Sequence, residues 1–182
     1  MKLFFTARLI ASFVLLGTMG AMPATDSDPE DELKAAIVLS FVRFADWPHA
    51  ASGTPITIAV FGRPAFAQVL RRTMEGKVVK DRPLHVVEPK SAADVPTCDL
   101  IYFAIAHAPD LRAFLSDPHL AHALTLGEAK DFLEMGGAVN LLEIDGHMSF
   151  EFSLEVLDRT GVAISSKLLR FGQIRGRRKG ES

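Results

Sequence analysis

The sequence contains a single cysteine, Cys98, among 182 residues. One cysteine excludes an intramolecular disulfide, whichever compartment the chain occupies. Cys98 begins an apolar run, CDLIYFAIA, that is typical of a buried strand. We therefore predict an inert, buried thiol. An intermolecular disulfide or a redox-sensing thiol is the alternative.

The chain also lacks the short motifs that carry common chemistries. It has no G-x-S-x-G, no H-E-x-x-H, no P-loop and no C-x-x-C. Gly62 follows an apolar strand and precedes a helix, but FGRPAF lacks the G-x-G-x-x-G spacing that lets a backbone approach a pyrophosphate. These absences predict no catalytic residue and no cofactor.

The strongest candidates for a metal site are His119 and His122, whose spacing could place both rings on one helix face near Asp117. Pro118 and the lack of an obvious third ligand count against this site, so we predict no metal. The remaining histidines are scattered along the chain, as surface or core residues usually are: His49, His85, His107 and His147.

A long apolar run is present only at the start of the chain. Lys2 and Arg8 precede or flank the apolar residues Leu9 to Leu16, and small residues follow between Gly20 and Ala24. This layout predicts a cleaved signal peptide over residues 1–24 and a periplasmic protein. The run is shorter than the roughly 20 residues of a spanning helix. An N-terminal anchor in the inner membrane is the alternative.

Charge is nearly balanced, with a formal net charge of −2. Removal of residues 1–24 would make the chain more acidic, which argues against nucleic acid as a partner. Residues 25–32 form an acidic leader, or a charge cluster at a helix N-terminus. Residues 33–172 suit one domain. Residues 173–182, QIRGRRKGES, predict a basic flexible tail, with contact to lipid headgroups as the alternative.

Apolar strands alternate with helices through the middle of the chain. The strands are Ile56 to Phe61, Val78 to Val79, Leu84 to Val87 and Leu100 to Ile105; the helices are Leu33 to Trp47, Pro64 to Glu75 and Pro109 to Leu115. Strands that are apolar throughout indicate a sheet covered on both faces. We predict a single three-layer α/β domain, with a mixed, largely parallel sheet and helices on both faces.

The first of these helices, Leu33 to Trp47, is apolar nearly all round. Leu33, Ile37, Phe41 and Phe44 share one face, while Val38, Leu39 and Val42 share another. Such a helix is buried on most sides or contacts a partner, which includes a second copy of this chain. Trp47 precedes Pro48, which should end the helix.

The C-terminal third carries the clearest local pattern. Glu128 to Met135 has helical apolar spacing and ends at Gly136 and Gly137. Asp145 and Gly146 then separate two β-type runs, Ala138 to Ile144 and His147 to Ser153, which predicts an antiparallel hairpin. A two-residue turn pairs Ile144 with His147, Leu141 with Phe150 and Val139 with Phe152, so the large residues share one face. Asp145 needs no catalytic role.

A short helix, Leu154 to Arg159, should follow the hairpin and end at Gly161. Ser165 and Ser166 are candidate N-caps for a last helical turn over Lys167 to Phe171.

These segments resemble the YfiR family of small exported bacterial proteins. The resemblance rests on KAAIVLSFVRFADWP, FLEMGG and DGHMSFEFSLEVLDRTGVAISSKLLR. It covers roughly residues 33–171 and speaks for the fold more than for chemistry. The signature residues in this sequence are structural: Trp47, Pro48, Phe132, Gly136, Gly137, Asp145, Gly146, Phe150, Phe152, Ser165, Ser166, Lys167, Leu168 and Leu169.

The resemblance implies a non-enzymatic periplasmic regulator that binds and represses the periplasmic part of an inner-membrane signalling protein, a diguanylate cyclase in the namesake. A small-ligand or sensor module in the same compartment is the alternative, and an enzyme is a third class without assignable residues. Some members carry cysteine pairs. This sequence departs from that pattern at its lone Cys98.

Overall fold

The computed structural model describes residues 27–47, 53–105 and 111–175. The predicted signal peptide, Pro48, His49, His107 and most of the basic tail lie outside these ranges.

Helices and strands alternate along the described chain. The helices are α1 (Pro29–Phe44), α2 (Pro64–Met74), α3 (Leu111–Leu115), α4 (Leu154–Thr160) and α5 (Ser166–Leu169). The strands are β1 (Ala45–Asp46), β2 (Ile56–Phe61), β3 (Val78–Val79), β4 (Arg82–Val87), β5 (Leu100–Phe103), β6 (Leu124–Gly127), β7 (Val139–Ile144), β8 (His147–Ser153), β9 (Ala163–Ile164) and β10 (Gly172–Arg175).

Within the described residues, eight strands form the central sheet, in the order β10-β8-β7-β6-β5-β2-β4-β3. Pairing is parallel from β4 through β2, β5 and β6 to β7, and again between β10 and β8. The β3–β4 and β7–β8 pairs are antiparallel. Strands β1 and β9 form a small antiparallel pair beside the sheet. The predicted α/β class with a mixed, largely parallel sheet is confirmed.

Core residues lie on both faces of the sheet. In β5, Leu100 and Tyr102 belong to the cluster that contains α1, α2, α4 and α5, whereas Ile101 and Phe103 belong to the cluster that contains α3. All four side chains are fully buried. Because both faces are covered, a strand that is apolar at every position fits this place.

Helix α1 begins earlier and ends earlier than the sequence pattern predicts. Asp28 caps it by accepting a hydrogen bond from the Glu30 N–H at 3.0 Å, and the acidic residues that follow complement the dipole of its first turn. The prediction that the helix runs to Trp47 is wrong, because Ala45 turns extended and pairs with β9. The Trp47 indole instead donates a hydrogen bond to the Asp99 carbonyl at 2.9 Å.

The hairpin forms in the predicted register. Leu141 lies opposite Phe150, and Val139 opposite Phe152. Asp145 and Gly146 have φ values of 52° and 76°, so both turn residues take the left-handed conformation that a tight hairpin turn needs.

The predicted helix over Glu128 to Met135 is wrong, because the segment folds as consecutive turns. Asp131 has a φ of 62°, which no α-helix interior accommodates. Phe132 is fully buried, and its ring covers Gly127 and Gly137 so closely that a Cβ on either glycine would overlap it. The apolar spacing therefore places side chains in the core through turns rather than through a helix.

The remaining elements follow the sequence pattern closely, apart from their ends. Helix α4 ends at Gly161, which has a φ of 73°, and Ser165 caps α5. Strand β4 begins at Arg82 rather than Leu84, and β5 ends at Phe103 rather than Ile105. The central strand β6 and the edge strand β10 have no counterpart among the predicted strands.

Candidate functional site

Two signature residues of the C-terminal third, Phe150 and Phe152, contact helix α1. Phe41 of α1 meets Phe150 edge-on, with ring centroids 5.5 Å apart, and lies 6.1 Å from Phe152. These contacts fix α1 on the hairpin. The Ser165 N–H donates to the Phe44 carbonyl at 2.9 Å, and the Ser165 hydroxyl accepts from the Lys167 N–H at 3.3 Å.

Further signature residues lie in the core or in turns. Leu168 of α5 is buried in the same core, and Leu169 packs against it. Gly136 has a φ of 107°, and the residue after it lies under the Phe132 ring. Among these residues, Phe132 and Leu168 are buried, and Gly136 lies in a turn.

Cys98 is 7% exposed, as expected for a buried thiol. Burial, with a further contribution from the Asp99 carboxylate, raises the pKa of Cys98 to about 12. The thiolate is the nucleophilic and metal-binding form, so Cys98 stays protonated and unreactive near neutral pH.

The candidate metal residues do not form a cluster. His119 Nδ1 lies 2.9 Å from Asp117 Oδ1 on an exposed 3₁₀ turn. Hydrogen bonds from the His119 N–H and ring lower the pKa of the Asp117 carboxyl. Within residues 27–47, 53–105 and 111–175, no group of three His, Cys, Asp or Glu side chains stands close enough to hold a metal ion.

A network of charged side chains is instead found around Glu128, the first residue after β6. The Tyr102 hydroxyl, from the neighbouring strand β5, donates a hydrogen bond to Glu128 Oε1. Lys34 Nζ, from α1, donates to Glu128 Oε2 and lies 2.6 Å from Glu30 Oε1. Tyr102 is fully buried and Lys34 is 5% exposed. Three elements that are distant in sequence are therefore joined through one carboxylate.

A second ion pair, with a buried carboxylate, lies beside this network. Asp31, one helical turn before Lys34, is 2% exposed. It accepts a hydrogen bond at 2.6 Å from Arg63, which follows β2. A carboxylate so deeply buried requires a charged partner, and Arg63 supplies it.

The two pairs stand at a defined point of the sheet. The chain leaves β2 toward β4 on one side, and β5 lies on the other side of β2, so the strand order reverses between β2 and β5. Open α/β sheets usually bind ligands in the crevice beyond the carboxyl ends of such strands. Here side chains of α1 reach the residues that follow β2 and β6 and pair with them.

Burial and pairing act in opposite directions on Lys34. Burial alone would lower its pKa, but hydrogen bonds and charges from Glu128 and Glu30 outweigh burial and raise the pKa above 10.5. Burial, then the Glu128 charge, raises the pKa of Tyr102 well above its usual 10.0. At neutral pH, Lys34 is therefore a cation, and Tyr102 is a neutral hydrogen-bond donor to Glu128.

The network was not found by sequence reasoning, because no motif joins its members. Lys34 and Glu128 are 94 residues apart. The available signals were weak: a lysine within a largely apolar helix, and a tyrosine within an otherwise apolar strand.

A cleft of about 400 Å³ opens next to the network. Its walls carry charges of both signs and apolar hairpin residues: Glu30, Lys34, Glu128, Ala129, Lys130, Leu141, Leu142, Glu143 and Met148. Apolar walls with a few convergent polar groups are typical of small-ligand sites.

The outer side of α1 carries exposed apolar residues. Leu33 is 50% exposed and Phe44 is 40% exposed, with the half-buried Ile37 between them. We call these three residues the α1 stripe. Phe41, predicted on the same face, is fully buried, as are Val38 and Val42. Most sides of helix α1 therefore pack in the core, and one line of apolar side chains remains exposed.

No helix in the described ranges is both long and apolar enough to cross a bilayer.

Comparison with known proteins defines the family. The sequence matches the YfiR/HmsC-like family over residues 31–173, and the chain belongs to that family. The resemblance predicted from the sequence segments is thereby confirmed. Among solved structures, the chain is similar to a conserved domain protein from Vibrio cholerae O1 biovar El Tor strain N16961, with a TM-score of 0.49 and 13% identity over 79% of this chain. It covers 59% of that protein's chain. No curated protein matches the sequence.

Proposed function

We propose that this protein is a non-enzymatic periplasmic regulator that binds the periplasmic part of an inner-membrane signalling protein and represses it. The family carries the proposal: the YfiR/HmsC-like match spans residues 31–173. By analogy with the namesake of that family, the membrane protein is a diguanylate cyclase. Release of the regulator from the cyclase raises cyclic di-GMP inside the cell.

The α1 stripe supports a docking function. Exposed apolar side chains on one line of a helix are an interaction site of the kind that an amphipathic partner surface covers. Leu33 and Phe44 are the exposed large apolar residues of α1, whereas its inner side is buried. We propose the α1 stripe as the docking surface, with a second copy of this chain as the other candidate occupant.

The state of the charged network agrees with a regulator. Lys34, Glu128, Asp31 and Arg63 are engaged with one another at the place where related sheet architectures bind substrates. At this position, the ion pairs therefore stabilise the fold.

Binding measured with the stripe altered tests the proposal. Residues 25–182 are titrated against the purified periplasmic part of the membrane cyclase encoded nearest to the gene. Leu33→Asp and Phe44→Asp should each weaken binding at least about tenfold, because a charge is placed where apolar contact forms. Ile144→Asp is the matched control, since Ile144 is a large apolar residue of similar exposure, 42%, at the hairpin tip and is not part of the α1 stripe.

If the Leu33→Asp and Phe44→Asp proteins bind as tightly as the original, the α1 stripe is not part of the interface. Sedimentation of the free protein separates the two occupants: a dimer that the same substitutions dissociate would assign the stripe to a second copy.

A sensor module is the second candidate, and the cleft beside Lys34 favours it. Isothermal titration with a panel of amino acids and nucleotides tests it. Binding that Lys130→Ala and Met148→Ala both weaken, without loss of fold, would place a small ligand in this cleft.

We further propose that residues 1–24 are a signal peptide and that the mature chain is periplasmic. Intact mass spectrometry of the osmotic-shock fraction should show a chain that begins between Ala21 and Thr25. Recovery of uncut chain in membranes alone would instead indicate the N-terminal anchor.

A further inference from the structure

Among the described residues, the outer side of β4 is unpaired at the carboxyl end of the strand. Strand β4 pairs with β2 on one side over Leu84 to Val87. On the other side, β3 pairs only with Arg82 and Pro83. Beyond them, the Leu84 N–H donates to the Lys77 carbonyl at 3.3 Å. Among the described residues, no strand continues this side of β4.

The backbone groups that face this edge can be identified. Successive residues of a strand direct their N–H and C=O groups to alternate sides. The Leu84 N–H points away from β2, toward Lys77, so the backbone groups of Val86 point the same way. Val86 therefore presents a donor and an acceptor to any chain that lies beside it.

A groove of about 630 Å³ runs between this edge and α2. Leu84, His85 and Val86 of β4 form one side of it, and the other side is formed by residues of α2 and its C-terminus: Gln68, Arg71, Arg72, Met74, Glu75 and Gly76. A groove between a sheet edge and a helix is the geometry that accepts an extended peptide as an added strand.

The groove is basic. Its lining contains two arginines and a histidine but one carboxylate, that of Glu75. Arg71 lies 3.9 Å from Glu88, a distance at the limit of an ion pair, and its side chain is 51% exposed. Arg72 makes no ion pair with another residue of the described ranges. Both guanidinium groups can therefore bind an incoming carboxylate in a bidentate manner.

A second copy of this chain fits this edge poorly. Two β4 edges brought together would oppose their own arginines. The other edge, β10, ends at Arg175 and continues into GRRKGES, so it too is basic. Like charges across an interface disfavour both arrangements.

We propose that the β4–α2 groove binds an extended, acidic segment of a partner protein. The segment adds beside β4 through backbone hydrogen bonds to Val86, and its carboxylates pair with Arg71 and Arg72. This site is separate from the α1 stripe, and it does not depend on the identity of the membrane partner.

The test uses the mature chain, residues 25–182, labelled with ¹⁵N. The probe is a capped octapeptide that alternates threonine with glutamate. Two matched probes accompany it: one with lysine in place of glutamate, and one with alternate backbone nitrogens methylated. We expect amide shifts concentrated at Leu84–Val87, with the glutamate peptide binding at least tenfold more tightly than either matched probe.

Variants locate the charge contribution. Arg72→Glu should weaken binding of the glutamate peptide at least tenfold, whereas Arg159→Glu, an exposed reversal on α4, should leave it unchanged. Equal binding by the methylated peptide would mean ionic attraction without strand addition and would overturn the proposal. The absence of any shift at Leu84–Val87 at millimolar peptide would overturn it as well.

Discussion

Tyr102, in the middle of the sheet, donates its phenolic hydrogen to Glu128, the residue that follows the neighbouring strand. The same carboxylate binds Lys34 of α1. Two adjacent parallel strands and the helix that covers them are thus joined at one point. The α1 stripe is presented by the same helix, so this junction also sets where the proposed docking surface stands.

Removal of the Lys34 charge should destabilise the fold. In Lys34→Met, Glu128 keeps its charge but loses its cation, and its side chain is only 23% exposed. We expect a loss of about 2–3 kcal/mol in the free energy of unfolding, below the roughly 3–5 kcal/mol of a fully buried pair, because water still reaches Glu128. Urea denaturation measures the loss.

Lys90→Met is the matched control for Lys34→Met, since Lys90 is exposed and should change stability by less than about 0.5 kcal/mol. A Lys34→Met protein as stable as the original would show that the network contributes nothing net to the fold.

Phe150 should be a core anchor of the hairpin. It is 8% exposed and packs edge-on against Phe41. Phe150→Ala should cost about 3–5 kcal/mol of unfolding free energy, as other large-to-small core substitutions do. Phe171→Ala serves as the control, because Phe171 is 71% exposed and should be nearly neutral. Unchanged stability with lost partner binding would assign Phe150 to a docking surface instead.

The buried thiol predicts a pH dependence. The pKa of Cys98 is raised from 9.0 to about 12 in the folded protein. Below pH 9 both states hold the proton and stability is unaffected. Between pH 9 and 12 the unfolded chain loses it first, so stability falls with a slope of up to about 1.4 kcal/mol per pH unit.

Cys98→Ala removes this contribution, so its unfolding free energy should fall less steeply than that of the original protein over the same pH range. Native Cys98 should also react slowly with a thiol reagent and completely only in denaturant. Identical slopes with rapid native labelling would place the thiol at the surface and restore a redox role.

Local patterns proved sufficient where a segment's structure depends on its own residues. Asp145 and Gly146 accept positive φ, and the alternation on both sides leaves one register that buries Phe150 and Phe152. That is why the register of the hairpin could be predicted to the residue.

Prediction failed where distant parts of the chain decide the outcome. The apolar spacing of Glu128 to Met135 matches a helix, yet Asp131 turns left-handed and Phe132 is held over Gly127 and Gly137. Strand β6 is four residues long, and it forms a strand because it pairs with β5 and β7 in the sheet. The Lys34–Glu128 pair likewise exists only after α1 lies on the sheet.

The central claim is that this protein restrains a membrane signalling protein from the periplasmic side. The most direct test is the cyclic di-GMP content of cells that lack the gene. We expect the content to rise, and to return to the original level when the partner cyclase is also deleted, because a repressor has no output of its own. A copy lacking residues 2–24 should fail to complement, whereas His119→Ala and Asp145→Ala should complement fully. Unchanged cyclic di-GMP in the deletion strain, together with tight binding of a small molecule by the purified protein, would contradict the account.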